Sequence, residues 1–536
     1  SGWAKLRKIY FHARLSRPIR SVVLTSGSRA YAGADLINGA NVKALLRFEE
    51  SSTPLLVKVA LSAVSVANAA GNMAENPSWD FDGVADKADA EWEKELSKIR
   101  IKGSLAQKEI FYTALYHAFI QPNLFSDLNG DYQTIDYVTR RLPEGLPPHY
   151  STFSLWDTYR AAHPLYTILQ PERTGDFVNS LLRQYDDYGY LPIWQLWGQE
   201  NYCMIGNHSI PVVVDAIFKG VKNIDVSKAY EAVKNSSLRA HPNAPFDIWE
   251  KYGYMPENLQ SQSVSITLEV AYNDWCVAQL AKRLGKTDDY LRFEKRAQFY
   301  RNLFNPEVKF FWAKDDQGRW LTPFDPLKYG GNGGYPFTEA NAWQYLWYVP
   351  HDVPGLVELM GGSKAFESKL DEFFTLATDN TEKNGNASGF IGQYAHGNEP
   401  SHHVTYLYSL AGAPAKTQYY VAKVLSEQYN NTSSGYSGND DCGQMSSWYL
   451  FGSLGFYPVN PVGGEYVFGS PLLEEAVIAL PGGKTFTVKA PRKSPDEIYI
   501  QSISLNGQAY SLRYIRHEDV MKGGTLEFKM GKKPRK

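Results

Sequence analysis

The fold class of this chain follows from one run of residues, GNDDCGQMSSWYLFGSLGFYPVNP (438–461). Its opening loop carries two adjacent carboxylates, Asp440 and Asp441. An amphipathic run follows directly and predicts a helix over 443–454. From Glu465 onward the pattern changes to the alternation of apolar and polar residues that is typical of strands. The run therefore marks the place where a long helical region ends and a β-rich tail begins.

Upstream of this run, apolar residues recur at helical spacing over most of the chain from residue 80 onward. Besides 443–454, helices are predicted at 80–99, 105–119, 157–170, 174–187, 208–220, 226–237, 261–285, 288–304, 339–347, 363–377, 402–410 and 414–428. About a dozen helices joined by loops of varied length favour a double ring of six helix pairs, whose inner ring opens into a loop-lined pocket.

The two ends of the chain have strand patterns instead. At the N-terminal end, strands are predicted at 9–14, 22–25, 45–48 and 55–62, and in the tail at 485–489, 497–505 and 525–529. Asn506-Gly507 is a hairpin signal. We predict a mainly α protein with a β-sandwich portion at 1–79, a helical barrel at 80–460 and a β-rich segment at 461–536. Because no turn-rich stretch precedes the first strands, we expect this sandwich to be truncated.

The composition of the chain excludes some classes of function. The chain has 536 residues and a formal net charge of −2, and no basic stripe indicates nucleic-acid binding. No segment approaches the roughly 18 apolar residues of a membrane helix. The three cysteines lie far apart in sequence and predict neither a disulfide framework nor a paired zinc site. Aromatic residues make up 14% of the chain, which suits either a surface that stacks against sugar rings or a large aromatic core.

A candidate acid lies in GYPFTEANAWQYLW (334–347). Glu339 is predicted to open a helix and to share a face with Trp343 and Trp347, at positions i, i+4 and i+8. Indole neighbours would remove water from the carboxyl group and raise its pKa, as a proton donor near neutrality requires. The alternative is a first-turn glutamate that complements the helix dipole.

Asp440 and Asp441 form the second carboxylate site. Backbone N–H groups at a helix start stabilise a carboxylate as the anion, so we expect at least one of the two to stay ionised and able to polarise water. The alternative is an ordinary N-cap. One aspartate suffices for a cap, however, and two adjacent anions repel each other.

The run HGNEPSHH (396–403) offers ligands for a metal ion. Asn398 and Glu399 lie on a loop ahead of Pro400, and their oxygen atoms are of the kind that calcium accepts. The same run carries three histidines, His396, His402 and His403. We expect them to hydrogen-bond sugar hydroxyls, and packing in the core is the alternative. Zinc is less favoured, because the HExxH pattern is absent and no thiolate lies close in sequence.

Two further stretches place charged or amide groups beside an aromatic residue at a loop-to-helix junction. FSLWDTYRAAHP (153–164) contributes Trp156, Asp157 and Arg160. WGQENYCMIGNHSIP (197–211) contributes Glu200 and His208. Both stretches are candidates for binding a polar ligand.

Five runs together carry a likeness to a known family: FSLWDTYRAAHP, CMIGNHSIPVVVDA, YPFTEANAWQYLWYVPHD, GQYAHGNEPSHHVTYLY and GNDDCGQMSSWYLFGSLGFYPVNP. From about residue 80 to the tail, the chain resembles glycoside hydrolase family 92. Members of that family are calcium-dependent, exo-acting α-mannosidases that invert the anomeric configuration, with an N-terminal β-sandwich and an (α/α)6 barrel. The resemblance implies the same fold, an α-mannoside glycan as substrate, and a periplasmic or secreted location.

The resemblance also implies roles for individual residues. Glu339 would be the general acid, and Asp441 with Asp440 the water-activating base. The loop of Asn398 and Glu399 would form part of the calcium site. The sugar pocket would be lined by Trp156, Asp157 and Arg160, with Glu200, His208 and the three histidines of 396–403 as further sugar ligands.

The chain departs from the family at its N-terminal end, where the family's sandwich is much longer than the stretch before residue 80. We therefore expect a missing N-terminal portion, with a partner chain or a homo-oligomer to cover the open strand edges. Two other functions stay open from the residues alone. One is a different (α/α)6 carbohydrate enzyme, a glucan hydrolase or a phosphorylase, and the other is a non-catalytic glycan-binding protein.

Overall fold

The computed structural model describes residues 7–241, 244–330, 335–377 and 386–535. The α-helices within these ranges are α1 (Val66–Asn72), α2 (Phe81–Leu96), α3 (Leu105–Ala118), α4 (Leu155–Thr158), α5 (Ala162–Leu169), α6 (Pro171–Tyr188), α7 (Ser209–Phe218), α8 (Val226–Ser236), α9 (Phe246–Tyr252), α10 (Ser263–Arg283), α11 (Thr287–Ala297), α12 (Ala342–Tyr345), α13 (Val353–Leu359), α14 (Ser363–Thr375), α15 (Val404–Ala411), α16 (Pro414–Glu427), α17 (Gln444–Leu454) and α18 (His517–Lys522).

The strands are β1 (Tyr10–Leu15), β2 (Ser21–Ser26), β3 (Arg29–Ala32), β4 (Val42–Arg47), β5 (Val57–Ser62), β6 (Ile99–Lys102), β7 (Asn123–Leu124), β8 (Asp131–Gln133), β9 (Thr139–Arg141), β10 (Tyr150–Ser151), β11 (Gln195–Leu196), β12 (Gln199–Glu200), β13 (Phe304–Asn305), β14 (Phe310–Phe311), β15 (Phe390–Ile391), β16 (Tyr394–Ala395), β17 (Phe456–Tyr457), β18 (Glu465–Phe468), β19 (Glu475–Leu480), β20 (Lys484–Lys489), β21 (Tyr499–Leu505), β22 (Gln508–Ala509), β23 (Tyr514–Arg516) and β24 (Gly524–Gly531).

The helical region is an (α/α)6 barrel, as predicted. Its inner ring consists of helices that are buried on nearly every face, namely α5, α7, α10, α12, α15 and α17. The outer helices bury only one face each, and they are α3, α6, α8, α11, α14 and α16. A helix that is apolar all round belongs in a core, whereas an amphipathic helix belongs at the surface. Inner and outer helices therefore alternate along the chain.

Contacts between neighbouring inner helices close the ring. Helix α5 packs against both α7 and α17, and α7 packs against α10. Tyr345 of α12 donates a hydrogen bond to Glu269 of α10. The imidazole of His403, just before α15, donates to the carbonyl of Trp347, just after α12. Trp448 of α17 donates its indole N–H to the carbonyl of His402.

One predicted helix starts later than expected, and this changes the setting of the candidate acid. Helix α12 begins at Ala342, not at residue 339. Its N-cap is Asn341, whose side chain accepts hydrogen bonds from the N–H groups of Trp343 and Gln344, and the Gln344 side chain returns a bond in a capping box. Glu339 lies ahead of the helix with φ +49°. The expectation that Glu339 opens the helix and shares its face with the two tryptophans was wrong.

The β-rich regions lie at the two ends of the chain. Near the N-terminus, β1 pairs with β5, and β3, β2 and β4 form a three-stranded sheet. In the tail, six strands pair in the order β22-β21-β24-β20-β19-β6, so that β6 joins this sheet from the helical region. Asn506 and Gly507 form the predicted hairpin turn, with φ +54° and +78°. The domain boundaries at 79/80 and 460/461 stay a prediction.

Two further findings concern the chain as a whole. The three cysteines, Cys203, Cys276 and Cys442, are free thiols. Among the described residues, none of the helices combines the length and the hydropathy that crossing a bilayer would need.

Candidate active site

Three carboxylates from distant parts of the sequence meet inside the barrel. Asp157, Glu399 and Asp441, here called the acidic triad, each offer an oxygen, and these oxygens lie within 4.8 Å of one another. Asp157 belongs to α4, Glu399 opens the 3-10 turn Glu399–Ser401, and Asp441 lies in the loop before α17. Asp157 and Glu399 are buried, whereas Asp441 keeps partial access to solvent. The loops at one end of the inner ring therefore build a concentrated anionic site.

In the loop before α17, the backbone points the side chains of Asp440 and Asp441 in different directions. Asp441, Cys442 and Gly443 have φ values of +47°, +57° and +90°. Residues other than glycine adopt this left-handed region only where the surroundings over-determine it. A Cβ atom on Gly443 would lie 2.8 Å from Cα of Ala118, so α3 packs closely against this turn. The strained turn is thus held from outside by a helix of the outer ring.

Asp440 is a helix cap. Its carboxylate accepts hydrogen bonds from the N–H of Gly443 (3.0 Å), the N–H of Ser446 (3.1 Å) and the hydroxyl of Ser446 (2.6 Å). These bonds satisfy N–H groups that the first turn of α17 leaves without partners. The sequence doublet therefore splits into a cap and a site residue, and the expectation that Asp440 shares the base function is corrected accordingly.

The triad is electrostatically crowded. Burial raises the pKa of Glu399 well above its usual range, and the charges of Asp441 and Asp157 raise it further. Burial and the charge of Asp441 likewise raise the pKa of Asp157. The pKa of Asp441 is also raised by burial, although its hydrogen bond with Glu399 opposes the shift. A positive charge between these three crowded groups would relieve their repulsion.

Glu399 satisfies the main requirement of a cation ligand. Its side chain is fully buried, and neither carboxyl oxygen accepts a hydrogen bond from a donor of the protein. Buried polar atoms nearly always have partners, so an unpartnered carboxylate beside two others marks a place for a positive charge. Oxygen-only donors are the ligands that a hard divalent cation such as calcium prefers. The acidic triad therefore fits calcium.

Glu339 acts on the same site. Burial raises the pKa of the Cys203 thiol to about 12, and the charges of Glu339 and Asp441 both contribute. The charge of Glu339 also contributes to the raised pKa of Asp157. The amide of Asn398 donates a 2.9 Å hydrogen bond to the carbonyl of Glu339. The side chain of Asn398 in the predicted metal loop thus holds the backbone of the predicted acid.

The surroundings of Glu339 differ from the prediction. Trp343 and Trp347 both pack against Phe373 of α14, on the outer side of α12. Glu339 is nevertheless buried, with 8% of its surface exposed. The expected separation between Glu339 and Asp441, about 6.5 to 9.5 Å for an inverting site, stays a prediction.

Arg160 and Trp156 lie directly behind the triad. Arg160 donates from Nη1 to the carbonyl of Glu399 (3.2 Å) and from Nε to the carbonyl of Trp156 (3.0 Å). Its guanidinium carbon lies 4.9 to 5.3 Å from the ring centres of Trp156, Tyr159 and Tyr348. Trp156 is 2% exposed. Both residues therefore support the triad from the barrel interior.

Glu269 is a residue of this region that the sequence did not predict. It lies in α10 with no exposed surface and accepts hydrogen bonds from the Trp156 indole (2.9 Å), the Tyr345 hydroxyl (2.9 Å) and the His208 imidazole (2.8 Å). The predicted residues Trp156 and His208 thus meet at a carboxylate. An acid within the apolar run of α10 was the available sequence signal, although Asp274 of the same helix shares it.

Glu200 belongs to the framework. Its carboxylate accepts hydrogen bonds from the N–H groups of Ile193 (2.7 Å), Trp194 (3.0 Å) and Tyr202 (2.8 Å). These bonds tie the segment before β11 to the segment after β12. The expectation that Glu200 is a sugar ligand is therefore replaced by a structural role.

The three histidines of 396–403 are packing residues, so the expectation that they bind sugar hydroxyls is corrected. His396 is bonded to the hydroxyls of Tyr394 and Tyr429, both at 2.7 Å. His402 donates to the carbonyl of His396 and accepts from Gln444. His403 donates to the carbonyl of Trp347. Burial lowers the pKa of His396 to about 3 and that of His403 to about 4, so both are neutral at physiological pH.

A ring of buried helices whose loops gather three carboxylates defines a helical-barrel protein with an acidic cluster. Residues 68–532 match the family model described as "Glycosyl hydrolase family 92 catalytic domain". The chain belongs to glycosyl hydrolase family 92. This confirms the resemblance noted from the sequence.

Solved structures show the same fold over nearly the whole chain. A family GH92 α-mannosidase from Bacteroides thetaiotaomicron, in complex with mannoimidazole, is 37% identical with a TM-score of 0.93, and the match covers 99% of this chain and 72% of that one. A family GH92 inverting mannosidase from the same organism is 34% identical with a TM-score of 0.90, covering 98% and 73%.

A curated fungal relative extends the comparison. An uncharacterized secreted glycosidase of Arthroderma benhamiae is 28% identical over 542 residues, which is 91% of this chain and 62% of that protein. The chain therefore spans less than two thirds of the length of this relative.

Proposed function

We propose that this chain is the catalytic part of an exo-acting glycoside hydrolase that releases mannose from α-mannosides with inversion of configuration. The observation that carries the proposal is the meeting of Asp157, Glu399 and Asp441 at one site, next to a loop that Asn398 ties to the backbone of Glu339. Inverting glycosidases need an acid and a base on opposite sides of the sugar. The two similar solved mannosidases support mannose as the sugar.

Glu339 is the proposed general acid, which protonates the leaving oxygen. A leaving alkoxide needs this proton, so ordinary glycosides are the proposed substrates. Asn398 holds the carbonyl of Glu339 and with it the backbone from which the acid projects. The backbone at Glu339 is left-handed, so this residue is not part of α12, which begins three residues later at Ala342.

Asp441 is the proposed general base, which takes a proton from the attacking water. Of the triad it is the member that solvent reaches. Asp440 supports Asp441 by accepting hydrogen bonds from Gly443 and Ser446 at the start of α17. These bonds hold the turn at 441–443 in place.

Asp157 and Glu399, with Asp441 and the amide oxygen of Asn398, would hold a calcium ion. Calcium, when bound, supplies positive charge that binds neighbouring hydroxyls of the mannose ring and favours its distortion toward the planar transition state. Ser154 donates a short hydrogen bond to Asp157 and fixes its orientation. Arg160 holds the backbone of Glu399. We also propose that the protein acts outside the cytoplasm, in the periplasm or as a secreted enzyme.

The test is an assay of α-1,2, α-1,3, α-1,4 and α-1,6 mannobiosides, with and without calcium, followed by proton NMR during the first minutes. We expect mannose to be released with the β-anomer formed first. First appearance of the α-anomer would exclude inversion. Binding of the disaccharides without any release, under conditions in which a full-length relative is active, would favour a non-catalytic glycan-binding protein.

A further inference from the structure

Arg160 is a buried cation beside the acidic triad, yet it makes no hydrogen bond to a triad carboxylate. Its Nη1 and Nε atoms donate to main-chain carbonyls, those of Glu399 and Trp156. Its third nitrogen, Nη2, has no hydrogen-bond partner and lies 3.9 Å from Oε1 of Glu269. The guanidinium is thus placed between two acidic groups, the triad on one side and Glu269 on the other.

Glu269 is held in place independently of Arg160. Trp156 and Tyr345 both donate to Oε1, and His208 donates to Oε2. His208 is in turn stacked on Tyr159, with ring centres 4.4 Å apart, and its Nδ1 accepts from the amide of Asn273. Burial lowers the pKa of His208, so the imidazole donates to Glu269 as a neutral group. The charge that faces Glu269 is therefore that of Arg160.

We propose that Glu269 is the counter-ion of Arg160, and that it leaves the negative charge of the acidic triad available for a divalent cation. Without Glu269, the guanidinium would be an unbalanced positive charge next to the cation site. It would also be free to turn Nη2 toward Glu399 or Asp157 and to neutralise a ligand. This inference rests on the proposed function and assigns to Glu269 a positioning role in metal binding.

Coulomb's law gives the expected size of the effect of the Glu269 charge on calcium affinity. At an effective dielectric constant of about 20, a unit charge about 10 Å from a divalent ion changes its affinity by about a hundredfold. Screening by salt and relaxation of the site reduce this value. We therefore expect removal of the charge of Glu269 to weaken calcium binding by at least about tenfold.

The experiment titrates the protein with calcium chloride alone, by calorimetry and by the calcium-induced shift of the thermal midpoint, without substrate. Glu269→Gln removes the charge and keeps the size of the side chain. Asp274→Asn is the matched control, because Asp274 is an equally buried carboxylate of the same helix that pairs with Arg296 instead. We expect at least about tenfold weaker binding for Glu269→Gln and a Kd within about twofold of the parent for Asp274→Asn.

A third variant separates charge from packing. Tyr345→Phe removes one hydrogen bond to Glu269 and leaves its charge, so its calcium affinity should match that of the parent. Parent-like affinity in Glu269→Gln, or a tenfold loss in Tyr345→Phe, would overturn the inference. A parent protein that binds no calcium would instead remove the metal from the proposed function, and the first titration shows this before any variant is made.

Discussion

The carboxyl groups of Glu399 and Asp441 offer oxygens that lie within 4.8 Å of each other. The two residues lie in different loops of the barrel, and Asp157 completes the acidic triad beside them. Burial raises the pKa values of all three groups, and the charges of their neighbours add to the shift of Asp157 and Glu399. A divalent cation would relieve that repulsion. We therefore expect calcium binding and ionisation of the triad to be coupled.

Calcium affinity should increase with pH. Because the pKa values of Glu399 and Asp441 are raised, protons should compete with the metal for these groups as the pH falls. Calorimetry in buffers of different ionisation enthalpy should show proton release on binding, and the Kd should be weaker at pH 5.5 than at pH 7.5. Glu399→Gln should release fewer protons and bind weakly at both values. A Kd independent of pH would contradict the raised pKa values.

Stability of the metal-free protein should show the opposite trend. Folded-state pKa values above those of the unfolded chain mean that the native state binds more protons. The contribution of the triad to the free energy of unfolding is therefore fully present at acidic pH and is lost as the pH rises through the folded-state values. Added calcium should reverse this loss, and stability should then increase by about 2.7 kcal/mol at a hundredfold excess over Kd. Chemical denaturation at several pH values, with chelator or with calcium, measures both effects.

Replacing the two neighbouring aspartates should have different consequences. Asp440→Asn should lower the free energy of unfolding by roughly 0.5 to 2 kcal/mol, because it weakens the cap of α17. Asp441→Asn should lower kcat by about 10² to 10⁴-fold through loss of the base. Its stability should stay equal or rise, since a repelled charge is removed. Urea unfolding and steady-state kinetics on the same preparations provide the comparison, and equal effects of both variants would refute the division of roles.

Glu339→Gln should reduce kcat/KM on mannobiosides by about 10² to 10⁴-fold. The loss should be much smaller on 2,4-dinitrophenyl α-mannoside, because that leaving group departs without a proton. Glu257→Gln serves as control, since Glu257 binds the N–H of Ser263 at the start of α10. Should Glu339→Gln lose activity equally on both substrates, the residue is not the acid.

His396→Phe should destabilise the protein without changing substrate binding. The substitution leaves the hydroxyl of Tyr394 without its buried partner, at a cost of about 1 to 3 kcal/mol, whereas the hydroxyl of Tyr429 keeps its hydrogen bond to the carbonyl of Met445. The KM for an α-mannoside should stay within about twofold of the parent, because both imidazole nitrogens are used inside the protein. A large increase in KM with unchanged stability would restore the sugar-binding role that the sequence suggested.

Periodicity alone predicted most of the barrel. Helices such as α10 and α17 were confirmed because a helix inside the inner ring must be apolar over its whole length, and this pattern is visible in the residues. The late start of α12 was missed. Asn341 and Gln344 form a capping box there, which the prediction of a helix from residue 339 did not take into account.

The sequence showed which residues could carry the chemistry, but it did not show which other residues they contact. The sequence identified Asp157, Glu399 and Asp441 as separate candidates with three different roles. Only the closed ring brings their oxygens within 4.8 Å, because each comes from a different loop and the distance depends on how the helices pack. The same holds for Glu269, an unremarked acid of α10 that becomes the partner of Arg160 across the barrel interior.

The sequence by itself determined which segments are helices and which carboxylates stand next to helix starts, since both depend on neighbours along the chain. Tertiary structure decided which of two adjacent aspartates faces the site. A left-handed turn at Asp441, pressed against α3 through Gly443, sends Asp440 back to the helix and Asp441 toward Glu399. Backbone strain of that kind persists only where packing from distant residues supports it, and such packing has no pattern in the local sequence.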